Sequence, residues 1–478
     1  MNRIELERVK PHQAGVAAEG IDRFLDLVAD KQINLHSFML LRHGKVAAEG
    51  YFRPFDGRML HNIYSVSKSV TSAAIGIAIG EGLLSLEDHI VDFFPEKLEG
   101  GGAVHPYTAR MKVKHLLAMA TVHPKSTDTT VDDWVKSFLT TPPTHPPGTI
   151  FAYDTTGTHT LCAIIQKLAG TSLHEYVKSR LLEPLGIGEI EWETCPMNIN
   201  KGGGGIKCRT EDMARFGQLY LQKGVWNGRQ VLPEGWAELS TARHIDNSNS
   251  TFLLDGKKGY GYQFWRSRHN SYCAFGMGGQ FVVVIPEKDA VFVSTANTLA
   301  SRDGHQLILD CLWEALYPAL SDRPPQDAAL EERVAQRLEK LTLILPAGTP
   351  ESAASRRLAG GARYALAENP FGFEACEFVF AAEGEGEVRF HGGAGQADIR
   401  FGLNRWVTGD SFKGSPYAGG ATWVDDRTLV LQIQLLSRLQ MYTVTCRFDD
   451  EEVVIHYLPA GAEEKEDASC YLNGIARE

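Results

Sequence analysis

Between Ser67 and Ile79 the chain carries one charge, Lys68, among Ser, Thr, Ala, Gly, Val and Ile. A helix that is small or apolar on every side is buried on every side, so this run predicts a core helix, and Gly82 supplies its stop. Lys68 makes the constraint severe. An ammonium at that depth is costly unless it is paired or loses its proton. Ser65 lies three residues earlier, so the two side chains share one face of the helix, a turn apart. A lysine with a lowered pKa beside a serine hydroxyl can act as a base. The helix N-terminus favours the negative charge of an oxyanion. The spacing therefore predicts a nucleophilic serine in the first turn of a buried helix. S-x-x-K alone is a weak motif; what raises it here is a single charge set in an uncharged helix.

At 478 residues the chain is too long for one ordinary core, and two or three domains are expected. With 43% hydrophobic and 22% charged residues its composition is that of a soluble globular protein. A net charge of −11 argues against nucleic acid or an anionic membrane as the main partner. Met1 to Arg8 has no apolar stretch of signal-peptide type, and no run is long enough to span a bilayer, so a cytoplasmic location is expected. The eight cysteines show no C-x-x-C spacing, which disfavours zinc and redox motifs; they are expected to be reduced and mostly buried. Neither G-x-x-x-x-G-K-[ST] nor G-x-G-x-x-G occurs, and the run Gly202 to Gly205 lacks the context for phosphate binding. No metal and no organic cofactor is implied.

Taken in order, a helix is expected over Gly20 to Asp30, then strands Ser37 to Arg42 and Lys45 to Tyr51 joined at His43-Gly44, as in a central hairpin. A hairpin followed by a buried helix suggests an α/β layer arrangement with an antiparallel sheet. From about 86 to 200 the chain reads as a mainly helical insertion, with patches at Val113 to Met119, Val131 to Leu139 and Leu161 to Leu168. Strands return at Tyr260 to Arg266, Ser271 to Phe275, Phe281 to Ile285 and Ala290 to Ala296, followed by a helix over Gln306 to Leu316. A cleft between the sheet layer and the insertion is the expected place for a site.

Two more stretches carry candidate chemistry. In Pro147 to Gly157, Tyr153 sits in a turn ahead of a helix, where a phenol can point into a cleft. Near Lys68 its pKa would be lowered, letting it take the Ser65 proton and return it to a leaving group. In Ala274 to Pro286, the glycines Gly276, Gly278 and Gly279 precede a β-branched run, allowing close approach of a backbone or substrate and offering an N–H opposite that of Ser65. Trp134, Tyr262, Trp265 and Tyr272 could line an apolar cleft, although each also fits a core position. His123 and His145 read as solvated loop residues.

Ser65-x-x-Lys68, the Tyr153 turn and the Gly278-Gly279 strand occur in the order found in the serine β-lactamase-like superfamily. Over roughly residues 10 to 320 the chain resembles its class C branch, which includes class C β-lactamases, family VIII esterases, D-aminopeptidases and nylon-oligomer hydrolases. Supporting phrases are His115-Leu116-Leu117-Ala118-Met119, Pro147-Gly148-Thr149, Glu183-Pro184-Leu185-Gly186-Ile187, Asp212-Met213-Ala214-Arg215-Phe216 and Gly259-Tyr260-Gly261-Tyr262. The resemblance implies that Ser65 is the acylated nucleophile, Lys68 its base partner and Tyr153 the tyrosine of a Y-x-N motif. It places Gly278 and Gly279 in the H-x-G or K-T-G strand, with Gln280 offering the second oxyanion N–H. Thr155 stands where the family usually has Asn, and Met277 where it often has His or Lys. A hydroxyl has less hydrogen-bonding capacity than an amide, and Met brings neither charge nor a strong donor. Both changes argue against efficient β-lactam turnover.

Beyond Leu316 a helix is expected over Ala328 to Leu341. Short strands follow at Phe378 to Ala381, Glu387 to Phe390, Ala397 to Phe401, Thr428 to Gln434, Met441 to Phe448 and Val453 to Leu458, which suggest a small antiparallel barrel. The stretch is similar in length and pattern to the lipocalin-like domain that some class C-like hydrolases carry. Residues 345–478 hold 20 Asp and Glu against 12 Lys and Arg, so the acidity of the chain is concentrated there. The expected organisation is a β-lactamase and penicillin-binding-protein-like α+β domain over 1–342, a linker over 343–356 and a β-barrel domain over 357–478. The expected activity is hydrolysis of a small ester or amide through an acyl-enzyme on Ser65. The alternatives are a D-amino-acid amidase or peptidase, a weak β-lactamase, or a penicillin-binding-like receptor that acylates without turnover. The expected partner is a small molecule, and a homo-oligomer is compatible with this reading.

Overall fold

In the computed structural model, residues 6–99, 104–123, 129–250, 253–301, 303–358, 361–381, 384–393, 397–460 and 470–476 are described. The parts of the expected insertion at 100–103 and 124–128 lie outside them.

The first layer is helix α1 (Ala18–Asp30), followed by strands β1 (Leu35–Arg42) and β2 (Lys45–Tyr51) and the buried helix α2 (Ser67–Gly80). Helices α3 (Val113–Leu117), α4 (Trp134–Thr140), α5 (Thr155–Ala169) and α6 (Leu173–Val177) follow, then α7 (Thr210–Leu221). Strands β3 (Trp265–Arg266), β4 (Tyr272–Gly276), β5 (Gln280–Ile285) and β6 (Ala290–Ala296) complete a six-stranded antiparallel sheet in the order β2-β1-β6-β5-β4-β3. Helices α8 (Gly304–Cys311) and α9 (Ala328–Glu339) close this part.

Strands β1, β4, β5 and β6 are buried along their whole length because both faces are covered. Alternate residues point to opposite faces. Phe38, Leu40, Phe281, Val283 and Phe292 pack with Ile21, Phe24 and Leu25 of α1 and with Leu309 of α8. Met39, Leu41, Val282, Val284, Val291 and Val293 pack with Ala73, Ile75 and Ile77 of α2 and with Phe216 of α7. Helix α7 approaches closely at Gly217, where a Cβ would meet Val291 at 2.6 Å and Val282 at 2.7 Å.

The C-terminal part is a closed barrel. Its strands are β7 (Ala362–Leu366), β8 (Ala375–Ala381), β9 (Glu385–His391), β10 (Ala397–Leu403), β11 (Trp406–Phe412), β12 (Ser415–Trp423), β13 (Thr428–Leu435), β14 (Met441–Phe448), β15 (Glu452–Ala460) and β16 (Cys470–Ala476). They run in the order β10-β9-β8-β7-β16-β15-β14-β13-β12-β11, and a parallel contact of β10 with β12 (Gly402 to Gly420, Leu403 to Ala421) closes a nine-strand ring that leaves β11 outside. Tyr364, Phe378, Val388, Ile399, Leu431, Ile433, Val444 and Ile455 fill its interior.

Three local expectations are corrected. The hairpin β1–β2 is not central: β2 is an edge strand and β1 the next one in. Of Tyr260 to Arg266 only Trp265–Arg266 pairs as a sheet strand, because the Tyr262 and Gln263 carbonyls accept from Ser72 and Ser69 of α2 instead. Ser65 lies in a 3₁₀ turn (Tyr64–Val66) that leads into α2, not in the first α-helical turn. All eight cysteines are free; seven are buried and Cys470 is half-buried. Among the described residues no helix is long and apolar enough to cross a membrane.

Candidate active site

The many hydroxyls of α2 fasten it to the loops around it. Ser69 donates to the Gln263 carbonyl at 2.6 Å, Ser72 to the Tyr262 carbonyl at 2.7 Å and Thr71 to the Gly202 carbonyl at 3.1 Å. Each buried polar group is thereby satisfied, as burial requires. Ahead of α2, the short strand His61–Asn62 pairs with Ile206–Cys208, and Ile63 N–H donates to the Ile206 carbonyl at 2.9 Å. Tyr64 then takes a left-handed φ of +46°, with its N–H donating to Asn62 Oδ1 at 2.9 Å. A bulky residue in that region is strained and persists only where its surroundings fix it. This turn delivers Ser65.

Lys68 is 1% exposed. Its Nζ lies 2.9 Å from Ser65 Oγ and donates to the Gly203 carbonyl at 2.6 Å. Burial pushes its pKa down from 10.5 to about 7, against the opposing pull of the Asp154 carboxylate. The amine is therefore substantially neutral near pH 7, and the pair can exchange a proton directly.

Tyr153 also meets Ser65, through a side-chain hydrogen bond. Its ring centroid is 4.9 Å from Lys68 Nζ, and it stacks on Trp265 at 5.7 Å with an interplanar angle of 26°. The expectation of a lowered phenol pKa is corrected: burial pushes it up, and a hydrogen bond with Ser65 only partly offsets this. The phenol is held as a proton donor. The next residue, Asp154, caps α5, accepting from Thr156 N–H at 2.9 Å and from the Thr156 hydroxyl at 2.6 Å. Burial pushes its carboxyl up, but hydrogen bonds from His123 and Thr156 outweigh this and hold it below the usual range. His123, expected in solvent, is buried with Nδ1 3.4 Å from Asp154 Oδ2. His145 is exposed, as expected.

The glycine run dismissed for phosphate binding is part of the site. A Cβ on Gly202 would collide with Cys162 Sγ, and one on Gly203 would collide with the Thr155 methyl and come within 3.1 Å of Lys68 Nζ. The signal that could have found it is the run of glycines itself, which permits close backbone approach. Thr155, the first residue of α5, is exposed and turns its methyl toward Gly203.

At the opposite wall, Gly276 ends β4 beside the Ser65 turn. A Cβ there would clash with the Ile63 carbonyl and lie 3.2 Å from Ser65 N. Met277, Gly278 and Gly279 form the tight turn to β5, with φ of +82° and +96° at the two glycines. Gln280 is fully buried and clamps this turn. Its Nε2 donates to the Met277 carbonyl at 3.0 Å and the Ala296 carbonyl at 2.7 Å, and its Oε1 accepts from Ala296 N–H at 3.2 Å.

Of the aromatic candidates, Trp265 lies against Tyr153. Trp134 packs on His159 at 4.9 Å and under Lys201 at 5.9 Å. Tyr262 stacks on His244 at 3.8 Å. Tyr272 is buried edge-on against Phe264 at 6.0 Å. These three are engaged with partners of their own.

Comparison with known proteins gives the family and the fold. The Beta-lactamase family model matches residues 21–309. The 6-aminohexanoate-dimer hydrolase of Paenarthrobacter ureafaciens is 25% identical over 287 residues, covering 55% of this chain and 72% of that protein. Among solved structures, a penicillin-binding protein homologue from Caulobacter crescentus superposes with a TM-score of 0.51 at 16% identity, over 63% of this chain and 99% of that one. The crystal structure of SurE superposes with a TM-score of 0.51 at 18% identity, over 90% of this chain and 95% of that one. At these identities the two structures bear on the fold alone. The matched family region covers well over half of the 478 residues and contains every group gathered around Ser65, so the chain belongs to the beta-lactamase family.

Proposed function

We propose that the protein is a serine hydrolase that cleaves a small ester or amide through an acyl-enzyme on Ser65. The observation that carries this reading is the 2.9 Å approach of Lys68 Nζ to Ser65 Oγ, with the amine buried and its pKa near 7. At pH 7 an ordinary lysine with pKa 10.5 would be neutral on the order of 10³-fold less often than this one. Ser65 Oγ attacks the substrate carbonyl while its proton passes to Lys68 Nζ. Tyr153 gives its phenolic proton to the leaving group and recovers one from the Lys68 ammonium. Water then attacks the acyl carbonyl and regenerates Ser65.

The oxyanion is held by the Ser65 N–H and a second backbone donor. Gly276 is the residue whose backbone lies against Ser65 N, so the second donor is assigned to the adjoining Met277 N–H. Gln280, first expected to supply it, acts as the clamp of the turn. The catalytic unit is placed in 1–342, with 343–356 leading to the barrel over 357–478. Thr155 and Met277 favour an ester or linear amide over a β-lactam, since neither offers an amide or cationic partner to the substrate. The name of the Paenarthrobacter relative, a dimer hydrolase, supports the amide end of this range.

Hydrolysis of p-nitrophenyl acetate and of a matching anilide, with Ser65→Ala beside the wild type, tests the reading. Turnover lost in the variant supports it. A stable wild-type adduct without turnover would favour an acyl receptor instead.

A further inference from the structure

A hairpin tip is normally the most exposed part of a barrel. The tip between β13 and β14 is not: Leu436 is 7%, Leu439 0% and Gln440 4% exposed. It is pressed into the other half of the molecule, at the two turns that flank the nucleophile. Asn62 N–H donates to the Ser437 carbonyl at 3.2 Å. Leu439 N–H donates to the Tyr64 hydroxyl at 3.1 Å, and Asn297 Nδ2 donates to the Leu439 carbonyl at 2.6 Å. The Leu439 side chain sits against Gly278, where an added Cβ would lie 2.6 and 2.7 Å from its two methyls. Leu436 joins the sheet's own core beside Phe275 and Phe281.

These contacts fall on the parts of the site that need external support. Tyr64 holds a left-handed φ one residue before Ser65, and its N–H and ring hydroxyl are both tied: one to Asn62, itself held by Ser437, the other to Leu439. Gly278 lies in the turn that carries the Met277 N–H. One buried leucine of the barrel thus touches the residue before one proposed oxyanion donor, Ser65, and the residue after the other, Met277. Donors aimed in advance at a developing charge lose much of their value when displaced by a fraction of an ångström.

We propose that the β13–β14 tip, through Leu439, is a positioning element of the active site that fixes the Tyr64 turn and the Met277–Gly278 turn against each other. This rests on the assignment of Ser65 and Met277 above. The barrel is therefore required for the rate of acylation as well as for stability. Leu439 is fully buried, so its effect is expected in kcat with little change in KM.

The test compares wild type, Ser65→Ala, Tyr64→Phe, Leu439→Ala and Leu439→Met in the full chain. Readouts are kcat and KM for p-nitrophenyl acetate, the rate of covalent labelling by a fluorophosphonate, and the melting temperature. Tyr64→Phe removes the hydroxyl that accepts from Leu439 and keeps the ring, and the melting temperature reports any cost to folding. Tyr64→Phe and Leu439→Ala should each lower kcat and the labelling rate in parallel by about tenfold to a hundredfold. KM should stay within about twofold of wild type, and Leu439→Met should restore most of the rate. Wild-type kcat in both Tyr64→Phe and Leu439→Ala, with activity abolished by Ser65→Ala, would overturn the positioning role alone. Activity that survives Ser65→Ala would instead overturn the reading on which it rests. A loss that tracks melting temperature and is not restored by Leu439→Met would also overturn it, as a purely structural effect.

Discussion

Lowering the pH from about 9 to about 5 should leave acylation of Ser65 unchanged down to about pH 7 and then slow it tenfold per pH unit. On the proposed mechanism Lys68 must be neutral to accept the Ser65 proton. Burial brings its pKa from 10.5 to about 7, with the Asp154 charge opposing. The active form is the deprotonated one, so activity is present above the Lys68 pKa and is lost below it. At pH 5 roughly one amine in a hundred is neutral, so kcat/KM should fall about a hundredfold, equivalent to about 2.7 kcal/mol in the barrier. The assay is kcat/KM for p-nitrophenyl acetate, read at the isosbestic wavelength of the product. Asp154→Asn sharpens it. Asparagine also caps helices well, so the start of α5 is kept while the charge that holds the Lys68 pKa up is removed. The acid limb should then move to lower pH. A kcat/KM that keeps rising through pH 9, or a limb that does not move in Asp154→Asn, would refute the assignment of Lys68 as the base.

On the proposed mechanism Tyr153→Phe removes the proton donor to the leaving group; kcat on an anilide, whose leaving group needs that proton, should fall by about 10²-fold or more, while a p-nitrophenyl ester is affected less. Gly203→Ala drives a methyl into Thr155 and to within 3.1 Å of Lys68 Nζ; labelling of Ser65 should nearly cease, and Thr155→Ser in the same chain, which deletes the obstructing methyl, should recover part of it. His61 is buried edge-on to His36 at 5.1 Å, and burial lowers its pKa from 6.5 to about 4. The folded state thus requires the neutral ring, and stability should be full above pH 6.5 and drain away by about 3 kcal/mol as pH falls toward 4. Denaturant midpoints at several pH values for wild type and His61→Gln check this, with a flatter profile expected for the variant.

The pairing of Ser65 with Lys68 was legible because a charge in an uncharged helix is a local contradiction that demands a partner, and the two meet at 2.9 Å. Tyr153 was legible from its place ahead of α5. Its pKa was not, because the Trp265 ring that stacks on it comes from a strand more than a hundred residues away. The clamp role of the Gln280 side chain was not legible, because a sequence does not show which parts of a glycine turn meet a neighbouring strand; here Gly276 is the one that lies against Ser65 N. In the barrel, Trp406–Phe412 and Ser415–Trp423 went unread because their glycines and polar residues dilute the period of two, and long-range pairing restores it. The hairpin tip at Leu439 carried no signal, since its burial depends on a partner at the far end of the chain.

The most direct test of Ser65 as the nucleophile is intact-protein mass spectrometry during rapid mixing with p-nitrophenyl acetate. A transient gain of one acetyl group on the wild type, mapped to Ser65 by peptide analysis and absent from Ser65→Ala, is the expected result. Turnover without any acyl adduct, or an adduct that forms equally on Ser65→Ala, would contradict it.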